Sequence, residues 1–269
     1  MDKKHYLTIK AQTSVSTMVK PGELVDIIEM TPLTLADRRI YNLLIENAWD
    51  KIDQPVEHII AKKKLRGHSA NNNFRVGENI ERLMSTIVRV KVEKNGEPAI
   101  KRIQLLGSNV EHERHDGMLY YKFPNELREI IKESKVFARL QRDVMFAFTS
   151  KYALALYEMV QKRGNLREKF YEDFTIEEMR GLLGVPRGKL PRVANLFQSA
   201  IKPALKEVNA LSDYGVKIEP ITEGRRVVKL RLFWWRKDRN GLKEAFAELQ
   251  RCKVGRKARI DSTVEKVAG

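Results

Sequence analysis

Apolar side chains recur along this chain at two spacings, three to four residues apart in longer stretches and every second residue in shorter ones. The two kinds of stretch alternate in an order that occurs twice. In the first occurrence Ile40, Leu43, Leu44 and Ala48 keep helical spacing behind Thr34 and Asp37, which stand where a reciprocal N-terminal cap requires them. That spacing predicts an amphipathic helix over 35–49, with 24–30 extended before it. The Gly, Ser and Asn of 66–73 read as a turn. Ile80, Leu83, Met84, Ile87 and Val88 then predict a second helix whose other face shows Arg82, Ser85 and Arg89. Alternating runs follow at 89–93, 99–106 and 118–123, with Asn95-Gly96 placed to turn a hairpin.

The second occurrence is fuller. Ser150 caps a helix that runs to Arg163 and stops at Gly164, and Thr175 with Glu178 forms another capping box ahead of Met179, Leu182 and Leu183. Gly184 ends that helix. Pro191 suits the first turn of a third, in which Val193, Leu196, Phe197, Ala200, Ile201, Ala204, Leu205 and Val208 make one apolar stripe. Strands at 215–221 and 226–235 join around Glu223-Gly224. In the second strand Phe233 and Trp235 fall on the face opposite Trp234. Helices followed by a hairpin, twice over, predict an α+β fold of tandem winged-helix domains, each a helix bundle braced by a small antiparallel sheet.

Residues 1–133 are expected to form the N-terminal domain, 134–240 the C-terminal domain and 241–269 a helix with a basic tail. The segment 125–144 has helical spacing at Leu127, Ile130, Ile131 and Phe137, which predicts a stiff connection. The tail after 242–250 carries Arg251, Lys253, Arg256, Lys257 and Arg259 with few apolar anchors, and is expected to be mobile without DNA.

Charge sharpens this picture. The chain of 269 residues holds 51 basic and 35 acidic side chains and a net charge of +16. Such an excess favours a phosphate polymer or an anionic surface, because each neutralised phosphate releases condensed counterions. Residues 1–135 hold 23 basic and 19 acidic groups, and 136–269 hold 28 and 16, so the second half should grip phosphate harder. A single cysteine, Cys252, leaves no intramolecular disulfide and no thiolate-rich zinc site, which fits a reducing cytoplasm. No apolar run approaches the ~20 residues of a membrane span, and no signal-peptide core opens the chain.

Catalytic patterns are missing from the sequence. The stretch 181–189 lacks the spacing of a phosphate-cradling loop for ATP, and of His5, His58, His68, His112 and His115 only the last two are close. No metal or other cofactor is expected, and a relaxase or primase is the distant alternative. The strongest constellation lies on the helix opened by Pro191. Its apolar stripe leaves Arg192, Asn195, Ser199 and Lys202 on the opposite face, with Gln198 alongside and Arg187 and Lys189 just ahead. These side chains suit a major groove, where Arg reads guanine, Asn and Gln read adenine, and Lys grips phosphate. The bland alternative is a solvated helix face. Arg225 and Arg226, with Lys229 and Arg231 beyond, are placed to act as a wing against the DNA backbone or minor groove. In the first domain the candidates are Arg75, Arg82 and Arg89. Pro203 removes the bond to the Ser199 carbonyl, so the helix either bends there or gives way to a new one.

Three segments carry a family resemblance. Thr149-Ser150-Lys151-Tyr152-Ala153 leads to Leu156-Tyr157-Glu158; residues 174–183 follow; Ala200-Ile201-Lys202-Pro203-Ala204 then precedes Glu207-Val208-Asn209. Together they resemble the signature of the iteron-binding plasmid replication initiators, over about 33–235. The resemblance implies two winged-helix domains, monomers on repeated origin sites, origin opening, and homodimers that bind an operator and repress the initiator's own gene. It also implies the host initiator ATPase, the replicative helicase and chaperones as partners. No leucine-zipper heptad precedes Thr34, which departs from the family's pattern. A non-enzymatic binder of double-stranded origin DNA is the resulting expectation, and a winged-helix transcriptional repressor the close alternative. Direct versus inverted repeats in footprints would separate them.

Overall fold

The computed structural model describes residues 17–65, 76–110, 117–166 and 169–262. The chain divides into two compact units, Met1–Arg142 and Asp143–Gly269.

In the first unit β1 (Thr17–Pro21) leads through α1 (Gly22–Val25) and β2 (Ile28–Glu29) to α2 (Leu35–Ala48). After β3 (His58–Ala61) and α3 (Lys62–Leu65) come α4 (Val76–Ser85) and the hairpin of β4 (Ile87–Lys94) and β5 (Glu97–Gln104). β6 (Ser108–Val110), β7 (Met118–Lys122), α5 (Asn125–Glu133) and β8 (Phe137–Gln141) complete it. The strands pair as β2-β4-β5, β3-β7-β6 and β1-β8.

The cap predicted at Thr34 is present. Thr34 Oγ1 accepts from the Asp37 amide at 3.1 Å, and Asp37 Oδ2 accepts from the Thr34 amide at 2.7 Å. Asp37 does more than cap: its carboxylate also accepts from Asn79 at 2.5 Å and from Arg82 Nε at 3.0 Å, tying α2 to α4 over a core that includes Ile40, Leu44, Ile80 and Leu83. Asn95 and Gly96 turn the β4–β5 hairpin with φ of 55° and 79°, as a two-residue turn between twisted strands requires.

Three expectations need correction here. Residues 24–30 are not one strand, because α1 covers Gly22–Val25 and only Ile28–Glu29 pairs. A buried ion pair of Glu29 with Arg38 at 2.5 Å fixes the following turn, which a short apolar run does not announce. The second helix stops at Ser85; Val88 and Val90 then alternate inward along β4, so Arg89 lies on a strand rather than on the helix. Phe137 likewise belongs to β8, whose register with β1 runs from Thr17↔Gln141 to Pro21↔Phe137. Residues 134–141 therefore sit in the first unit, and the division falls later than 133/134.

The division falls after the first residue of α6 (Arg142–Ala147), and the second unit continues with α7 (Lys151–Arg163), capped by Ser150, whose side chain accepts from the Tyr152 amide. β9 (Tyr171–Thr175) and α8 (Ile176–Leu182) follow, the latter with the predicted Thr175–Glu178 capping box. A long helix runs as α9 (Val193–Leu196), a π turn (Phe197–Ile201) and α10 (Lys202–Leu211). β10 (Tyr214–Glu223) and β11 (Arg226–Arg236) form the hairpin, and α11 (Arg239–Gln250) and α12 (Arg256–Ile260) close the unit.

The sheet order is β10-β11-β9, and β9 escaped the sequence reading. Its Glu172 and Asp173 are poor strand formers. They are held there by Arg163 at 2.9 Å and by a two-pronged bond from Arg231 at 2.6 and 2.8 Å.

Glu207, Val208 and Asn209 each do a separate job. The Glu207 carboxylate accepts from the Thr149 amide and hydroxyl, both at 2.6 Å, and Val208 is buried. The Asn209 amide exchanges two bonds with the Val216 backbone, at 2.9 and 2.8 Å, fixing how the helix meets β10. Trp234 is buried while Trp235 stands outside, its ring so close over Gly215 that a β-carbon there would lie 2.2 Å away.

The basic tail is a further correction over 251–262. Arg256 is buried and donates to the carbonyls of Glu248, Leu249 and Arg251; Arg259 binds the Glu248 carboxylate at 2.7 Å; Lys206 pairs with Asp261 at 2.5 Å. Buried guanidinium bonds replace the missing apolar anchors. Residues 263–269 lie outside the described residues.

Candidate nucleic-acid interface

Pro203 has no amide to offer the Ser199 carbonyl, yet the helix does not end there. The Lys202 amide donates to Phe197, five residues back, so one wide turn absorbs the proline and the helix continues to Leu211. With this wide turn in place, Leu196, Ala200, Ile201, Ala204, Val208 and Leu211 are all buried in the core. Arg192, Asn195, Gln198, Ser199 and Lys202 are exposed, as are Arg187 and Lys189 in the approaching loop. Among the described residues none of these seven side chains has a hydrogen-bond or ion-pair partner. The helical dihedrals begin at Val193, with Arg192 as N-cap, slightly later than the Pro191 start expected.

Gly224 at φ 58° turns the hairpin, and its tip displays Arg225 and Arg226, both exposed. A bulge between Ile221 and Thr222 adds local twist. Arg231 is not available to a ligand in the same way. It holds Asp173 and lies 4.4 Å from the Tyr171 ring centroid, and that contact lowers the Asp173 carboxyl below its ordinary range. Chemically, the second unit offers exposed guanidinium groups on a helix and on a hairpin tip, and exposed carboxamides on that same helix. Carboxamides and guanidinium groups on a helix face are the equipment that distinguishes base edges, while exposed lysines suit phosphate.

The candidates of the first unit fare differently. Arg75 lies outside the described residues. Arg82 is drawn onto Asp37, whose carboxyl burial would raise but which Arg82, Asn79 and Thr34 together hold below its ordinary value. Arg89 is half-buried on β4, directly opposite Arg102 of β5. The outward side of α4 instead shows Glu78, Glu81 and Ser85.

Sequence reasoning missed Arg180. It is 8% exposed on α8 and donates to the carbonyls of Lys189, Leu190 and Pro191, the loop that delivers Arg192 to its place. A cation next to Met179 within an apolar helix stripe was the only signal. Among the described residues no group of three or more His, Cys, Asp or Glu side chains is arranged to hold a metal ion, and no helix is long and apolar enough to cross a membrane.

In the second unit a helix and a strand, then two helices and a hairpin, surround one core; that order defines a winged helix, and the first unit carries a variant of it. The chain belongs to the initiator Rep protein family. The family model described as "Initiator Replication protein, WH1" matches residues 17–161, and "Initiator Rep protein, WH2" matches 175–234. Among solved structures, that of the Pi initiator protein in complex with iteron DNA is similar to this chain, with a TM-score of 0.56 and 16% identity over 83% of this chain and 98% of that one. The crystal structure of domains 2 and 3 of RctB aligns with a TM-score of 0.43 and 11% identity, over 84% of this chain and 93% of that one. No curated protein matches the chain in sequence.

Proposed function

We propose that this chain binds the repeated origin sequences of a plasmid as a monomer, helps open the origin and recruit the host helicase, and represses its own gene as a dimer. The observation that carries the DNA-binding part is the face of the Val193–Leu211 helix, where Arg192, Asn195, Gln198 and Lys202 are all exposed and unpaired. Buried apolar residues fix the opposite side, so the backbone that carries these side chains is already in place and only their own rotamers remain to be ordered on entering a groove. Membership of the initiator family and the DNA named in the complex of the Pi initiator support the choice of double-stranded DNA.

In this reading the second unit supplies most affinity and base readout, with Arg187, Lys189, Arg225 and Arg226 as its flanking contacts. The first unit supplies a second contact and the surface for a homodimer. Two winged-helix units on one face of a duplex would occupy successive major grooves about 34 Å apart. Hydroxyl-radical footprinting on the native origin tests this. Protection of direct repeats over about two helical turns each is the expected result. Protection of one turn would sink the two-unit reading, and protection of a single inverted repeat would leave a repressor only.

A further inference from the structure

The loop between α8 and α9 has the conformation of a strained connector. Gly184 and Gly188 take φ of 70° and 75°, and Leu190, which has a β-carbon, takes φ of 52°. A left-handed leucine persists only where its surroundings hold it. Here the carbonyls of Lys189, Leu190 and Pro191 converge on the Arg180 guanidinium, with Nη2 to Pro191 at 2.9 Å and Nη1 to both Lys189 and Leu190. Glu177 pairs with Arg180 Nε at 3.3 Å from the other side.

We infer that Arg180 is a positioning residue for sequence readout: it clamps the loop so that Arg187, Lys189 and Arg192 meet the duplex in one fixed register. This rests on the reading of the second unit as the DNA reader. Its own side chain is buried, so it is not itself a phosphate contact. Three carbonyls in successive residues can be satisfied by one planar fork of five donors; an ammonium at the same place, a point charge on a flexible stem, cannot span them. Loosening the clamp lets the base-reading side chains wander while leaving the charges near the DNA. Discrimination should fall and non-specific attraction should not.

The test uses the full chain, an origin-repeat duplex and a scrambled duplex of equal composition, titrated across a salt series. Arg180→Lys is expected to weaken cognate binding roughly tenfold, as lost preorganisation does, with scrambled binding changed less than about twofold and the salt slope intact. Leu190→Pro attacks the same clamp from the loop, because its φ is locked near −65°. It should reproduce the loss even if Arg180→Lys fails to melt cooperatively. An unchanged cognate-to-scrambled ratio in whichever variant folds overturns the inference, as does a salt slope lowered by about one, which would make Arg180 a phosphate contact. A wild-type chain with no preference for the repeat would instead defeat the proposed function itself.

Discussion

The two units place a helix in corresponding positions, α4 before the β4–β5 hairpin and α9–α10 before the β10–β11 hairpin, and give those helices opposite surfaces. Outward on α4 stand Glu78, Glu81 and Ser85, and its arginine is spent inside the unit on Asp37. Outward on the second helix stand Arg192, Asn195, Gln198 and Lys202, with no partners among the described residues. The order of elements is thus shared while the chemistry is not. An element order argues a fold, and only the side chains on the free face argue a ligand.

The comparison breaks first at Asp37. Because its carboxylate serves Thr34, Asn79 and Arg82 together, Asp37→Ala leaves a buried donor and a helix cap unsatisfied, and should destabilise the first unit by about 3 kcal/mol. Chemical denaturation of the full chain, followed by probes in each unit, measures this; a change below about 0.5 kcal/mol would show that the network is ornamental. The same group predicts an acid response. Its folded pKa is lowered, so its stabilisation is complete above the unfolded value near 4 and is lost as pH falls through the folded value. Asp37→Asn should flatten the acid limb of a stability profile, and an unaltered limb would assign acid sensitivity elsewhere.

A smaller effect is expected at Lys202, nearly three turns beyond Arg192 and better placed for phosphate than for a base edge. Lys202→Ala should weaken cognate and scrambled duplexes alike, with the salt slope reduced by about one. A loss confined to the cognate duplex would make Lys202 a reader. The smallest change belongs to Glu81→Gln. Removing an exposed negative charge from α4 should leave specificity alone and alter affinity by less than about threefold, upward if at all. A large specific loss would mean that α4 reads DNA after all.

Much of the second unit was legible in the sequence because its signals are local. Thr175–Glu178, Ser150, Gly224 and the apolar stripe from Leu196 to Val208 each specify a conformation within a few residues. Pro203 announced a bend, though not that a π turn would absorb it. What stayed hidden depends on partners distant in sequence. β9 exists through bonds from Arg163 and Arg231; the 251–262 segment folds back on Glu248; β8 pairs with β1 across most of a domain. The candidate site divides the same way. The exposed face of α9–α10 follows from helical periodicity alone, whereas the capture of Arg82 by Asp37 and the hold of Arg180 on the loop are tertiary contacts that no spacing rule encodes.

The central claim is that one helix of the second unit reads sequence, and binding of Arg192→Ala and Asn195→Ala to cognate and scrambled duplexes over a salt series tests it most directly. Each substitution should cost about 1 to 3 kcal/mol on the cognate duplex and much less on the scrambled one. Equal, small losses on both duplexes from both substitutions would reduce this face to an ordinary solvated surface and contradict the account.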